Sequence, residues 1–263
     1  MRNMKLLVLS DLHVTTGAPI HGRDPVTSLT RAVDHIVRCH AGADRCLIVG
    51  DLAHHGRVAE YRALKAALER LPMPYGLTLG NHDDRGHFLS VFGSDFADDT
   101  GFVQSVIDIG TYRCLLVDTH RPGSGAGSLD NGRLERLEAM IAGADRPCLL
   151  FMHHPPIDTC LPAFETIGLI DRPAFAAVLA AHRDTVAGIF FGHCHMPING
   201  TIEGIPAFGV RSPVYQSLPD FDRPRFLAGP DLLPAYSLVI ETGSGLAIHA
   251  IEFGYSGSIT ASD

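Results

Sequence analysis

Six short apolar runs, each closed by a tight polar turn, set the frame for this chain. Residues 6–9 end at Ser10-Asp11, 46–49 at Gly50-Asp51, and 75–79 at Gly80-Asn81-His82-Asp83. Residues 114–117 end at Asp118, 148–152 at His153-His154-Pro155-Pro156, and 186–191 at Gly192-His193-Cys194-His195. Runs this short, rich in leucine and β-branched residues, read as strands covered on both faces.

Helical spacing fills the gaps. Val58, Tyr61, Leu64, Leu68 and Leu71 recur every three or four residues, with Pro72 as a stop. Leu134, Leu137 and Ile141 predict a second helix. Phe175, Val178 and Leu179 predict a third, with Asp171 as its cap and Pro173 in its first turn. Residues 198–253 carry short strand-like runs and a proline-rich loop at 213–234. No internal repeat or linker breaks the pattern. The expectation is one α/β domain over residues 1–263, with a mixed sheet or two packed sheets.

Apolar residues make up 46% of the chain and charged residues 19%, enough to bury a sizeable core and too little charge for a disordered chain. The net charge is −8 and the lysines and arginines are scattered singly, which weighs against a nucleic-acid polymer as partner. A small phosphate ester stays compatible, because bound metals reverse the local potential. The apolar run after Met1 is too short for a signal-peptide core, and no run approaches the roughly 20 residues of a membrane span. The six cysteines form no Cys-x-x-Cys pair, and Cys46, Cys114 and Cys148 sit in or beside apolar runs as small core residues. A reducing, cytoplasmic setting without a membrane fits these features.

The chemistry lies in the turns. Ligands in open α/β folds bind beyond the carboxyl ends of the strands, so Asp11, His13, Asp51, Asn81, His153, His193 and His195 can converge there. Imidazoles suit zinc, iron and similar metals, and carboxylates suit harder ions such as manganese. Asp51, following Gly50, is the best candidate to bridge two cations, and Asn81 supplies a neutral oxygen. His193 and His195, two apart, can reach one cluster and serve different metals.

Asp11-Leu12-His13, Gly50-Asp51, Gly80-Asn81-His82-Asp83, His153-His154-Pro155-Pro156 and Gly192-His193-Cys194-His195 together resemble the calcineurin-like metallophosphoesterases. Within these the chain is most similar to the class III cyclic-nucleotide phosphodiesterases and the related glycerophosphodiesterases. The resemblance implies a four-layer αββα sandwich of two mixed sheets. It also implies two divalent cations, Fe, Mn, Zn or Co, and hydrolysis of a small phosphodiester by a metal-bridging hydroxide. One cation would take Asp11, His13 and His195 with Asp51 shared; the other would take Asp51, Asn81, His153 and His193. His154 is the alternative to His153. His82 would face the phosphate, with Asp83 orienting it. Relatives of this kind are often dimers or larger, so a homo-oligomer belongs among the expectations.

Some relatives place a further histidine where this chain reads Val214-Tyr215-Gln216, which makes Tyr215 a candidate substrate contact. His54, His55 and His154 are candidates too, and His21 and Asp24 lie on a loop that could reach substrate. His35, His40, His87, His120, His182 and His249 read as ordinary residues. Residues 158–170 could wall or cover the site, and the 213–234 loop, with Tyr215, Phe221, Arg223, Arg225 and Phe226, could contact substrate or a second subunit. The competing functions are a phosphomonoesterase or protein phosphatase on the same metal core, and a non-catalytic scaffold. Scaffold relatives lose ligands or the catalytic histidine, and this chain keeps both.

Overall fold

In the computed structural model, which describes residues 3–229, 232–258 and 260, all six apolar runs are strands. The chain begins β1 (Lys5–Leu9), α1 (Pro25–His40), β2 (Arg45–Val49), α2 (Val58–Leu68), β3 (Tyr75–Thr78) and α3 (Arg85–Phe92). It continues through β4 (Ser105–Ile109), β5 (Tyr112–Val117), α4 (Asn131–Ala142), β6 (Cys148–Met152), α5 (Arg172–Ala181), β7 (Val186–Phe191), β8 (Asn199–Ile202) and β9 (Ile205–Gly209). Four strands close it: β10 (Gln216–Leu218), β11 (Leu227–Gly229), β12 (Ala235–Thr242) and β13 (Gly245–Glu252).

Two sheets result. The first has the order β13-β12-β1-β2-β3, with β1, β2 and β3 parallel and the β12–β13 hairpin antiparallel to β1. The second has the order β4-β5-β6-β7-β9-β8, parallel except at its edge strands β4 and β8. Parallel neighbours need crossovers, and the helices supply most of them.

Side-chain alternation shows how the layers stack. Leu7, Leu9, Cys46 and Ile48 face α1, α2 and α3, packing with Leu29, Val33, Tyr61, Leu64 and Phe88. Leu6, Val8, Leu47 and Val49 point the other way and meet Cys114, Leu116, Leu149, Phe151 and Phe190 of the second sheet. Leu115, Val117, Leu150, Met152, Ile189 and Phe191 then face α4 and α5 through Leu134, Leu137, Phe175 and Leu179. The fold is a four-layer αββα sandwich. Its central strands are apolar on both faces because each sheet has a cover on both sides.

Several local expectations change. Asp24 does not reach toward substrate: it caps α1, accepting from the Thr27 amide at 2.8 Å, with Pro25 in the first turn. Asp171 precedes α5 but makes no cap bond. Its carboxylate instead accepts from Ser128 Oγ (2.7 Å) and the Leu129 amide (2.8 Å), tying the start of α5 to the loop before α4. The 213–234 stretch is not a plain loop, since β10 and β11 pair within it from Gln216↔Gly229 to Leu218↔Leu227. Pro230 and Asp231 of that stretch lie outside the described residues. No helix among the described residues is long and apolar enough to cross a membrane.

Candidate metal centre

The ends of the parallel strands from both sheets meet at one point. Asp11 and His13 follow β1, Asp51 follows β2, and Asn81 follows β3; His153 follows β6, and His193 and His195 follow β7. Asp51 Oδ2 lies 3.5 Å from His13 Nε2, and Asp51 Oδ1 lies 3.3 Å from His153 Nε2. Asp11 Oδ1 lies 3.3 Å from His195 Nε2. Asn81 Oδ1 lies 3.1 Å from His153 Nε2. Nitrogens face each other as well: His13 Nε2 and His195 Nε2 at 3.0 Å, and His153 Nε2 and His193 Nδ1 at 3.2 Å.

The backbone bends hard to bring them in. Asp11 (φ 57°), His13 (42°), Asp51 (47°), His193 (71°) and His195 (52°) all occupy the left-handed region. Aspartate and histidine tolerate that region better than most residues, yet each such position costs about 1 kcal/mol or more. Neighbouring glycines allow the close approach. A Cβ on Gly80 would stand 2.2 Å from Asp51 Oδ1, and one on Gly192 would stand 1.8 Å from Ser10 Oγ.

Surrounding groups fix which nitrogens face the centre. His153 Nδ1–H donates to the Val49 carbonyl (2.9 Å), and His195 Nδ1–H donates to the Tyr215 carbonyl (3.1 Å). In the neutral rings, Nε2 then offers a lone pair inward, the orientation that histidine ligands require. His193 donates its amide to both oxygens of Asp11, at 3.1 Å each.

Electrostatics fit a cation. Burial alone would lower the His153 pKa, but the Asp51 and Asp11 carboxylates overcome it and hold it at about 9. Burial would raise Asp11, but His195 draws it down to about 2. Burial and the neighbouring His153 push His193 down to about 3, and His193 Nε2 is buried without a hydrogen-bond partner. His195 and His153 have their Nδ1–H groups committed to carbonyls, so each turns an acceptor Nε2 toward its facing ring, whereas His13 Nδ1 lies against His54 Nδ1 and His193 Nε2 has no partner. A divalent ion can take the place of the proton that each facing pair would otherwise share. Asp11, His13 and His195 form one group with ligand atoms within 4.8 Å of one another, and Asp11, Asp51 and His153 form another.

The remaining candidates separate clearly. His82 lines the cavity over the centre; its amide donates to Asp51 Oδ1 (2.9 Å) and its Nδ1–H to the His54 carbonyl (2.8 Å). Asp83 does not orient that ring. Its carboxylate turns away and accepts from the Leu52, Ala53 and Gly80 amides (3.1, 3.0 and 2.9 Å) and from Tyr61 Oη (3.0 Å), clamping the Asp51 turn to the Asn81 turn. Burial and the Asp51 charge raise Asp83 to about 6.

His54 stacks on His82 with ring centroids 5.1 Å apart and holds Nδ1 3.4 Å from His13 Nδ1. His55 is exposed and outside the cavity lining. His154 is fully buried, its Nδ1 2.8 Å from Thr119 Oγ1, so it cannot meet substrate. It does group with His153 and His193. Tyr215 lines the cavity, stacked on His195 at 4.2 Å, and His21 lies beside it at 4.8 Å.

Three further residues, none of them among the candidate ligands, support the site. His120 Nδ1–H donates to the Gly80 carbonyl (2.9 Å) behind Asn81. Phe164 and Phe226 wall the cavity. His120 follows Asp118 at a strand end, the same signal that marks the candidate ligands, whereas Phe164 ends a single 3-10 turn and Phe226 lies on a loop, neither with periodicity.

Several known proteins are similar to this chain. A family model described as calcineurin-like phosphoesterase matches residues 4–197. The chain is 36% identical over 261 residues to a probable cyclic nucleotide phosphodiesterase of Rhodopseudomonas palustris, covering 97% of this chain and 95% of that one. It is 32% identical over 208 residues to a cAMP/cGMP dual specificity phosphodiesterase of Mycobacterium tuberculosis, covering 76% of this chain and 64% of the other. Among solved structures, a purple acid phosphatase from yellow lupin seeds aligns with a TM-score of 0.66 at 15% identity, covering 95% of this chain and 51% of that one. At that identity the likeness concerns the fold alone.

Proposed function

The chain belongs to the calcineurin-like phosphoesterases, and from that premise we propose that it hydrolyses small phosphodiesters of the cyclic nucleotide or glycerophosphodiester type with two divalent cations. The observation that carries this reading is the convergence of seven side chains on one point from two sheets. Asp11, His13 and His195 would hold one cation, Asn81, His153 and His193 the other, and Asp51 would serve both. When bound, such a pair supplies Lewis acidity, neutralising phosphoryl oxygens and lowering the pKa of a water.

The other residues prepare that chemistry. The Val49 and Tyr215 carbonyls keep His153 and His195 in the ligating tautomer. Asp83 locks two ligand turns together, so their spacing is set before substrate arrives. The His54 carbonyl occupies His82 Nδ1–H, so it is in the doubly protonated ring that Nε2 carries a proton to pass to the departing oxygen. General acid help of this kind contributes about 10²–10⁴-fold.

The cavity favours a diester over a monoester. It holds about 370 Å³, and among the described residues its lining includes no lysine or arginine. A monoester dianion gains most from added cationic side chains, whereas a singly charged diester needs fewer. The test is a steady-state comparison of bis-(p-nitrophenyl) phosphate with p-nitrophenyl phosphate after reconstitution with Mn, Co, Zn or Fe. Faster diester cleavage is the expected result. Preference for the monoester would move the assignment to a phosphomonoesterase, and no turnover with any metal would end the enzyme reading.

A further inference from the structure

The cavity over the metal centre has two unlike sides. His13, Asp51, Asn81, His193 and His195 form a polar floor. Phe164 and Ile167, from the segment after the His-Pro turn, and Phe226 and Ala228, from the ribbon before β12, form an apolar wall. Phe164 is only 5% exposed and stands edge-on to His193, with ring centroids 5.5 Å apart and planes at 72°. Phe226 stands against Phe164 in turn, at 5.2 Å and 82°. A continuous line of rings thus runs from the floor to the solvent.

Phe226 is 58% exposed at the cavity mouth. A scattered exposed phenylalanine would need no explanation. This one is held by a buried aromatic partner and borders a polar pocket, so its free surface faces whatever enters. The other aromatic rings of the lining are already engaged. Tyr215 is stacked on His195 at 4.2 Å, His21 lies against Tyr215, and Phe164 is buried. Aromatic faces attract flat π-systems irrespective of their hydrogen-bonding pattern, and offset or edge contacts of this kind add to simple area burial.

We propose that Phe226, backed by Phe164, is the platform on which the planar substituent of a phosphodiester stacks while its phosphate lies over the polar floor, making this residue a determinant of preference for aromatic esters over glycerol-type esters. This rests on the phosphodiester reading above and adds to it the feature that chooses among diesters. The platform touches the substituent and not the phosphorus, so it acts on binding and leaves the chemical step alone.

The test compares the metal-loaded wild type with Phe226→Ala and Phe226→Tyr on adenosine 3′,5′-cyclic phosphate and on glycerophosphoethanolamine. Phe226→Ala should lower the kcat/KM ratio of the cyclic nucleotide to the glycerol diester roughly 10-fold (about 1.4 kcal/mol), through KM rather than kcat. Phe226→Tyr, which keeps the ring, should restore the ratio. An unchanged ratio in Phe226→Ala, an equal loss on both substrates, or a loss carried by kcat would overturn the platform. Thermal melting of the variants separates misfolding from lost stacking, and the tyrosine variant tests the ring even if the alanine variant melts early. Turnover of both diesters by a wild type indifferent to position 226 would remove the platform and leave the phosphodiester reading standing. A wild type that cleaves neither would remove both.

Discussion

Asp51 Oδ1 lies 3.3 Å from His153 Nε2, and the two residues reach that contact from different sheets, one after β2 and the other after β6. The second Asp51 oxygen faces His13 at 3.5 Å. One carboxylate therefore stands between the two ligand groups. Asp51→Ala should lower bound metal and cut turnover by at least about 10²–10³-fold, the scale on which a central charge-stabilising group acts. Plasma emission analysis of the purified variant checks it; wild-type metal content and rate would rule out the bridging role.

Metal uptake should release protons. In the metal-free site His153 has a pKa of about 9, so its ring is charged at pH 7 and must lose a proton to become a ligand. The sign for stability follows. A histidine pKa raised above its unfolded value of about 6.5 stabilises the metal-free fold below pH 6.5, and this contribution is lost as the pH rises through about 9. Metal-free protein should therefore melt progressively earlier from pH 6.5 to 9, while the melting increment on adding Mn²⁺ grows over the same window. Calorimetric titration in buffers of different ionisation enthalpy should show net proton release at pH 7; zero release contradicts the charged state of His153.

His82→Ala should keep its metal, since His82 Nδ1 is taken by the His54 carbonyl and the ring packs edge-on to His13 and against His54, outside the seven donors that converge on the floor. Turnover should fall by about 10²–10⁴-fold, most for alkyl leaving groups that need a proton and least for nitrophenyl ones. Rates on the two ester types decide the matter: an equal loss on both removes the acid role.

Gly80→Ala should damage the site from beneath. The new methyl would meet Asp51 Oδ1 at 2.2 Å, the Asp51 amide at 2.3 Å and His153 Nε2 at 2.8 Å, all parts of the tightest region of the fold. Overpacking of this kind costs about 1–3 kcal/mol, and here it also displaces the Asp51 carboxylate. A lower urea midpoint together with weaker metal binding is expected, and a variant normal in both respects would show that the turn yields more easily than its contacts suggest.

The strands and the convergence of the candidate ligands are legible because both obey one rule. A strand covered on two faces must be apolar throughout, so the first polar residue after it marks its end, and in parallel sheets those ends share one edge of the fold. Cys148 to Met152 followed by His153 shows this directly, with every residue of β6 buried. The sequence reading gave no helix to α1 or α3, although Asp24-Pro25 and Asp84 cap them, because long loops around metal ligands also favour aspartate. Asp83 was misread for a similar reason. Its place next to His82 suggests that it orients that ring, but adjacent residues in a tight turn point apart, and the carboxylate meets three amides and Tyr61 Oη instead. Phe164 and Phe226 reach the same cavity from distant loops, and no local pattern encodes that meeting.

The two sheets divide the ligands between them: Asp11, His13, Asp51 and Asn81 hang from one, His153, His193 and His195 from the other. Neither sheet alone owns a full set of donors for two ions. The second sheet is also spliced into the chain between β3 and β12 of the first, so it is joined to its neighbour by covalent links before and after it. A bound cation pair would then work as a rivet through the seam, and its loss should loosen the sliding of one slab over the other as well as the chemistry at its edge.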